Sequence, residues 1–350
     1  MENKNELIKT TQKRIIYLDV LKLLATFAVI ILHVAAIHWN TESPDSFNWN
    51  VFNFYDSIVR WAVPIFVMIS GALFLDNSKE LDIKKLYKKN ILRIITAFIF
   101  WSAFYAAIIC IFGDSSKLNI KSFLGRFIVG HYHLWFLYMI VGLYIMTPVL
   151  RKITKDIKTT EYFLIISIIF SFVIPTLSKV PSISNINEVL GHINLNFGYT
   201  TYFILGYYLS IKDFSPRIKK IIYLLSILGF LVTIFGSAII SNYIMKPYGL
   251  YNGLDLNVFF EAIGVFVFVK NIKFNISNKQ NNILNKLVKY SFGVYLIHAG
   301  IIEFIKKIGF TTLIFNPIIS VPIISILIFI ISLIISAIIN HMPILKKSIV

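Results

Sequence analysis

The chain has one cysteine in 350 residues, Cys110, and it lies in an apolar run. That leaves no internal disulfide and no metal site built on thiolates. Charge is also scarce: only 15% of residues are Asp, Glu, Lys or Arg, where a soluble domain carries about a quarter. Acidic residues are the rarer kind, 17 against 34 basic ones, which gives a formal charge of +17. In a soluble protein such an excess would point to nucleic acid. No repeat of 20–50 residues is visible. No linker is long enough to separate domains, and no soluble catalytic domain is appended. The expectation is a single membrane-embedded unit over 1–350, with any chemistry inside it.

What is abundant is apolar surface. The chain is 57% hydrophobic and 15% aromatic, and its apolar runs approach the roughly 20 residues that an α-helix needs to cross a hydrocarbon core. The runs predict ten helices, at about 16–38, 55–75, 92–112, 131–150, 161–178, 197–211, 220–241, 255–270, 289–305 and 313–340. The sixth and eighth are short. The first is too long for a signal peptide's apolar region and lacks a small-residue cleavage site, so it reads as a retained span.

Lys and Arg fall in every second connecting segment. The N-terminal tail, the segments 76–93, 151–160, 212–220 and 270–289, and the C-terminal tail hold 25 of them; the intervening loops hold seven. Basic loops stay on the cytoplasmic side. The expected architecture is therefore an all-α, polytopic bundle of about ten transmembrane helices in the cell membrane, with both termini cytoplasmic. Its positive charge is met by this sorting and by lipid, and no nucleic-acid partner is expected. The two basic residues left over, Lys22 and Arg60, lie inside predicted spans, where ionisable groups are costly and usually line a cavity or pathway.

The first helix carries Asp19, Lys22 and His33. Asp19 and Lys22 are three apart and share a face. Lys22 and His33 are eleven apart, which returns to within about 20° of one face at an axial separation of about 16 Å. A long substrate lying along that face would touch both. Alternatively, Lys22 snorkels to the interface and His33 satisfies a core hydrogen bond. The second helix carries Arg60, then Pro64, whose ring frees a carbonyl, and Ser70-Gly71, which permits close helix approach for packing or for a site. The fourth opens with His131, Tyr132, His133, Trp135 and Tyr138, an aromatic set that an interfacial belt would also use. Histidines at i and i+2 of a helix point about 200° apart, so no metal site is expected there. His298 lies in the ninth helix and Glu261 enters the eighth from outside.

These blocks, in this order, resemble the acyltransferase 3 family of integral-membrane acyltransferases, and within it the surface-polysaccharide O-acetyltransferases. The carrying residues are Asp19, Lys22 and His33; Arg60 through Gly71; Tyr132 through Leu137; and Ser291 through His298. The family pattern in the first helix is an arginine, ten residues, then a histidine; here Lys22 replaces the arginine, keeping the charge but losing the bidentate fork. The resemblance implies an O-acyltransferase moving an acyl group, usually acetyl from acetyl-CoA, to a hydroxyl of an extracytoplasmic or lipid-linked glycan. It implies His33 and Arg60 as catalytic, with His33 a general base or transient acyl carrier and Arg60 stabilising an oxyanion or orienting the acceptor. Lys22 would hold donor phosphates, and Asp19, Ser70, His133, Trp135, Tyr138, Glu261 and His298 would support the site. Two other readings use the same buried charges: a transporter of small molecules or acyl groups, and an accessory subunit of a polysaccharide synthase. Oligomeric state leaves no signal in the sequence.

Overall fold

A computed structural model describes residues 15–112, 120–179 and 197–342. Among these residues the regular structure is helical throughout. The helices are α1 Ile16–Ala35, α2 Phe47–Ser57, α3 Ala62–Phe74, α4 Leu92–Phe112, α5 Ile120–Val129, α6 Trp135–Thr154, α7 Ile157–Ile168, α8 Tyr199–Ile211, α9 Pro216–Leu231, α10 Ser237–Ile244, α11 Leu256–Asn271, α12 Asn278–Lys307 and α13 Pro317–His341. Their starts follow side-chain capping. The Ser46 and Ser215 hydroxyls and the Asp156 carboxylate accept first-turn backbone N–H groups, and Ser277 forms a reciprocal box with Gln280. A π-helical turn, Val232–Gly236, joins α9 to α10.

Each of the ten expected segments contains helix. Among the described residues, eight stretches are long and apolar enough to cross a membrane. The sixth and eighth, α8 with 13 residues and α11 with 16, are shorter. Three boundaries depart from expectation. The second segment is two helices interrupted at 58–61, so Arg60 stands in a helix break within the stretch Phe47–Phe74 that is long enough to cross a membrane. Pro64 explains the position, because it cannot donate to the carbonyl of residue 60 and its ring crowds that turn. The third segment begins at Ile83, so Lys84, Lys85, Lys88 and Lys89 ride on a helix instead of a loop. The fourth begins at Trp135. Before it, Gly130, at φ +79°, ends α5, an amphipathic helix that the apolar runs do not reveal.

The alternation seen in the charges is present in space. Arg151 donates to the Phe74 carbonyl at 3.4 Å and Asn77 to Thr154 Oγ1 at 3.1 Å. Lys212 meets Glu161 at 3.1 Å, and Lys270 donates to the carbonyls of Leu209 and Lys212 at 2.8 Å. The basic connecting segments thus meet at one end of the bundle. At the other end, Asn53 donates to the Ile234 carbonyl at 2.9 Å, Tyr202 to Gly253 at 2.7 Å, and Lys179 pairs with Asp255 at 2.5 Å. The tails whose lysines entered the count, residues 1–14 and 343–350, lie outside the described residues, as do 113–119 and 180–196.

The core is built around α1, α3, α8 and α11, with Leu21, Ala25, Met68, Phe203 and Phe266 fully or almost fully buried. α3 and α8 cross in backbone contact: a Cβ on Gly71 would lie 1.7 Å from the Phe203 carbonyl oxygen, and one on Gly206 2.0 Å from that of Met68. The outer faces are apolar, as Ile326, Ile330, Ile334 and Ile338 of α13 show at four-residue spacing, which suits lipid and not water.

Candidate functional site

Three helices bring cations to one cavity. Lys22 from α1, Arg93 from α4 and Lys289 from α12 line a space of about 670 Å³ near the basic end, with Asn90 beside them. Arg93 lies 5.4 Å over the Phe292 ring, which holds the guanidinium against an apolar wall. Ser70 and Tyr144, 3.5 Å apart at their hydroxyls, also face the cavity. Deeper in, the walls turn aromatic with Phe66, Phe136 and Tyr295. A mouth of cations over a long neutral interior fits a ligand with an anionic head and an uncharged arm. Asp19 lies in the first turn of α1 and is not among the lining residues.

Tyr295 separates this cavity from a group of imidazoles. Its hydroxyl donates to the His133 carbonyl oxygen, and its ring lies 5.6 Å from His133 and 6.0 Å from His298. His33 stacks on His298 at 5.4 Å, His298 lies 5.2 Å from His133, and Tyr132 closes on His33 at 5.0 Å. The structure therefore brings together the histidines of α1, the α5–α6 turn and α12. His298 Nδ1 is 2.6 Å from the Tyr295 carbonyl. A carbonyl only accepts, so Nδ1 carries the hydrogen and the neutral ring keeps its lone pair on Nε2. The Nε2 atoms of His133 and His298 are buried without a hydrogen-bond partner.

The expectation that His131 and His133 point apart on one helix is corrected. Both lie before α6, in the turn after Gly130, and their Nδ1 atoms are 3.0 Å apart. Among the described residues no group of three or more His, Cys, Asp or Glu is arranged to hold a metal ion.

Arg60 stands on the far side of His33 from the cavity's basic mouth, within electrostatic reach of that imidazole. It pairs with Asp56, one helical turn back, and lies 3.8 Å over the Tyr251 ring. Tyr251 donates to Asn53 Oδ1 at 2.5 Å, and burial raises its phenol above the ordinary tyrosine range, so it stays a neutral hydroxyl. Glu261 is fully buried on α11, where it accepts from the Thr233 hydroxyl, and Asn257 donates to the same Thr233 oxygen at 2.8 Å. This cluster lies beside the π-helical turn and reaches Arg60 only electrostatically. Trp135 and Tyr138 are not brought to the site. Trp135 packs on Tyr199 at 5.7 Å and Tyr138 on Phe98 at 4.5 Å, both about half exposed.

Sequence reasoning missed Asp56, Arg93, Tyr251 and Lys289, and it gave Tyr295, within the Ser291–His298 block, no role of its own. Asp56 had a signal, the four-residue spacing to Arg60. Arg93 and Lys289 were counted only as loop charges, and Tyr251 lies in a connection with no periodicity.

No solved structure matches the chain. The chain is similar to proteins named "Probable poly-beta-1,6-N-acetyl-D-glucosamine export protein" from Staphylococcus aureus, at 23% identity in strains Mu50 and N315 and 22% in strain MRSA252. Each alignment covers 269 residues, 72% of this chain and 72% of the relative. The family model described as an acyltransferase domain matches residues 15–340. With that match over nearly its whole length, and eight stretches among the described residues able to cross a bilayer, the chain belongs to the acyltransferase 3 family of multi-pass membrane proteins.

Proposed function

We propose that the chain is an O-acyltransferase of the plasma membrane, moving an acetyl group from acetyl-CoA to a hydroxyl of an extracytoplasmic or lipid-linked glycan. The observation that carries this reading is the cation-mouthed cavity whose aromatic inner end abuts the imidazoles around His33. Lys22, Arg93 and Lys289 would hold the donor's phosphates at the basic, cytoplasmic end, and the apolar walls would receive its neutral arm. His33 removes the proton from the acceptor hydroxyl as that oxygen attacks the thioester carbonyl. The C–S bond breaks and the sulfur leaves as thiolate, which takes up a proton. Imidazole suits this work near neutral pH. Arg60 is placed to orient the acceptor or to stabilise the oxyanion.

The test is acetyl transfer by the purified full-length protein, from radiolabelled acetyl-CoA to an N-acetylglucosamine oligosaccharide. His33→Ala should lower the rate at least about 100-fold while insertion and expression stay normal. Transfer above about a tenth of wild type would remove His33 from the chemistry.

The name of the Staphylococcus aureus relatives favours a second reading, movement of glycan across the membrane. It requires glycan flux into or out of proteoliposomes without acetyl-CoA, and that flux should survive in His33→Ala.

A further inference from the structure

Four imidazoles form an unbroken file. His131 is half-buried in the turn after Gly130, His133 and His298 behind it are 2% and 0% exposed, and His33 stands at the far end. His131 and His133 meet through their Nδ1 atoms at 3.0 Å, with ring centroids 5.2 Å apart and planes at 73°. His133 and His298 repeat that spacing, at 5.2 Å and 76°. His298 and His33 follow at 5.4 Å with planes at 26°. The first pair shows that such a spacing supports a nitrogen-to-nitrogen hydrogen bond. The other two pairs reach it once a ring turns.

The nitrogens needed for those turns are uncommitted. Nε2 of His133 and Nε2 of His298 are buried without a hydrogen-bond partner. Because His298 Nδ1 keeps its hydrogen on the Tyr295 carbonyl, its Nε2 must both take a proton from His33 and hand it to His133. A proton arriving at His133 Nε2 lets that ring donate from Nδ1 to His131 Nδ1, and His131 then releases one from its own Nε2. His131 is held for this by the Tyr105 ring, stacked at 4.4 Å, whose hydroxyl donates to the Leu296 carbonyl at 2.7 Å. Burial does not obstruct such a file, since a proton needs no space beyond the lone pair that receives it.

We propose that His298, His133 and His131 carry the proton that His33 takes from the acceptor hydroxyl to the extracytoplasmic face, so that acyl transfer also moves protons in one direction. The inference rests on the acyl-transfer reading and adds a vectorial step to it. As the acceptor oxygen forms the ester and the C–S bond breaks, the hydroxyl proton leaves along the file. The thiolate takes its proton from the cytoplasmic side, through the cation-lined cavity. Tyr295 stands between the imidazoles and that cavity, so the two protons part on opposite sides of it. Charge favours the outward direction. Arg60, paired with Asp56, bears on His33 and opposes a proton resting there, whereas the Glu303 carboxylate bears on His131. Lys306, 3.5 Å from Glu303, offsets part of that attraction. Tyr132 and Tyr295 also lie against the rings.

Sealed proteoliposomes of the full-length protein test this. An N-acetylglucosamine pentasaccharide and a pH-sensitive dye are enclosed, acetyl-CoA is added outside, and valinomycin with potassium removes any membrane potential. Only molecules with their cytoplasmic end outward then meet the donor. The lumen should acidify by one proton for each acetyl group found on the pentasaccharide. His131→Ala should lower kcat by about tenfold or more with the KM for acetyl-CoA unchanged, and free imidazole in the lumen should return transfer to within about threefold of wild type. Acetylation without acidification of the lumen overturns the proton path and leaves the acyl-transfer reading standing. A kcat for His131→Ala within about twofold of wild type, or a loss that imidazole does not restore, removes His131 from the path. The wild-type proton count decides the proposal even if His131→Ala fails to fold. A wild type that acetylates nothing overturns the acyl-transfer reading, and the proton path with it.

Discussion

Lys22 stands where the family pattern has an arginine, and its neighbours suggest how a lysine can serve there. Arg93 and Lys289 reach the same cavity from other helices, so phosphate binding would be shared among three cations. Lys22→Ala should therefore raise the KM for acetyl-CoA, and Lys22→Arg should keep or lower it by restoring the bidentate fork. Arg93→Ala should raise the same constant by about tenfold, the scale of one charge-assisted hydrogen bond. Steady-state kinetics on the three variants check this. An unchanged KM in Lys22→Ala would leave that residue as an interfacial lysine. At this scale the sequence showed which ionisable groups were out of place, because charge inside an apolar run is conspicuous. It did not show which of them meet. The stacking of His33 on His298 joins helices more than 260 positions apart in sequence, and no local spacing encodes that.

Among the helices, the crossing of α3 and α8 is the tightest constraint. Gly71 and Gly206 each face backbone atoms of the partner, not flexible side-chain ends, so an added methyl has nowhere to go. Gly71→Ala should force the helices apart and cost more than the roughly 1–3 kcal/mol usual for overpacking. The readout is loss of the monodisperse peak on size exclusion in detergent, with a lower melting temperature. Gly142, whose Cβ would meet nothing within 4 Å, should accept alanine with both unchanged. The Ser70-Gly71 pair announced close approach in the sequence, but the partner α8 did not, since it is buried on nearly every side and shows no helical stripe. The break at 58–61 was encoded in Pro64, and α5 went unread because its short amphipathic pattern is indistinguishable from a polar loop by apolar run alone.

For the molecule as a whole, orientation sets the meaning of everything else. The basic connections converge at one end of the bundle, and the positive-inside rule assigns that end to the cytoplasm. In a Cys110→Ser background, Ser43→Cys, at an exposed position between α1 and α2, should react with an impermeant maleimide in intact cells. Ser78→Cys, also exposed, should react only after the membrane is opened. The reverse pattern would put the imidazoles near the cytoplasm and remove the path from an inner donor to an outer acceptor.

A protein fed from both faces of a membrane, as proposed above, must also remain an insulator. The polar cavity and the imidazoles together reach deep into the bundle, and the aromatic rings of Phe66, Phe136 and Tyr295, 5.7–5.9 Å from one to the next, stand between them. These rings should act as the electrical seal of the protein. In proteoliposomes under an imposed pH gradient, Tyr295→Ala should dissipate the gradient faster than wild type, while Tyr295→Phe, which keeps the ring and loses only its hydroxyl, should hold it. A cell carrying the leaking variant would then be harmed by proton entry whether or not any acetyl group is ever transferred.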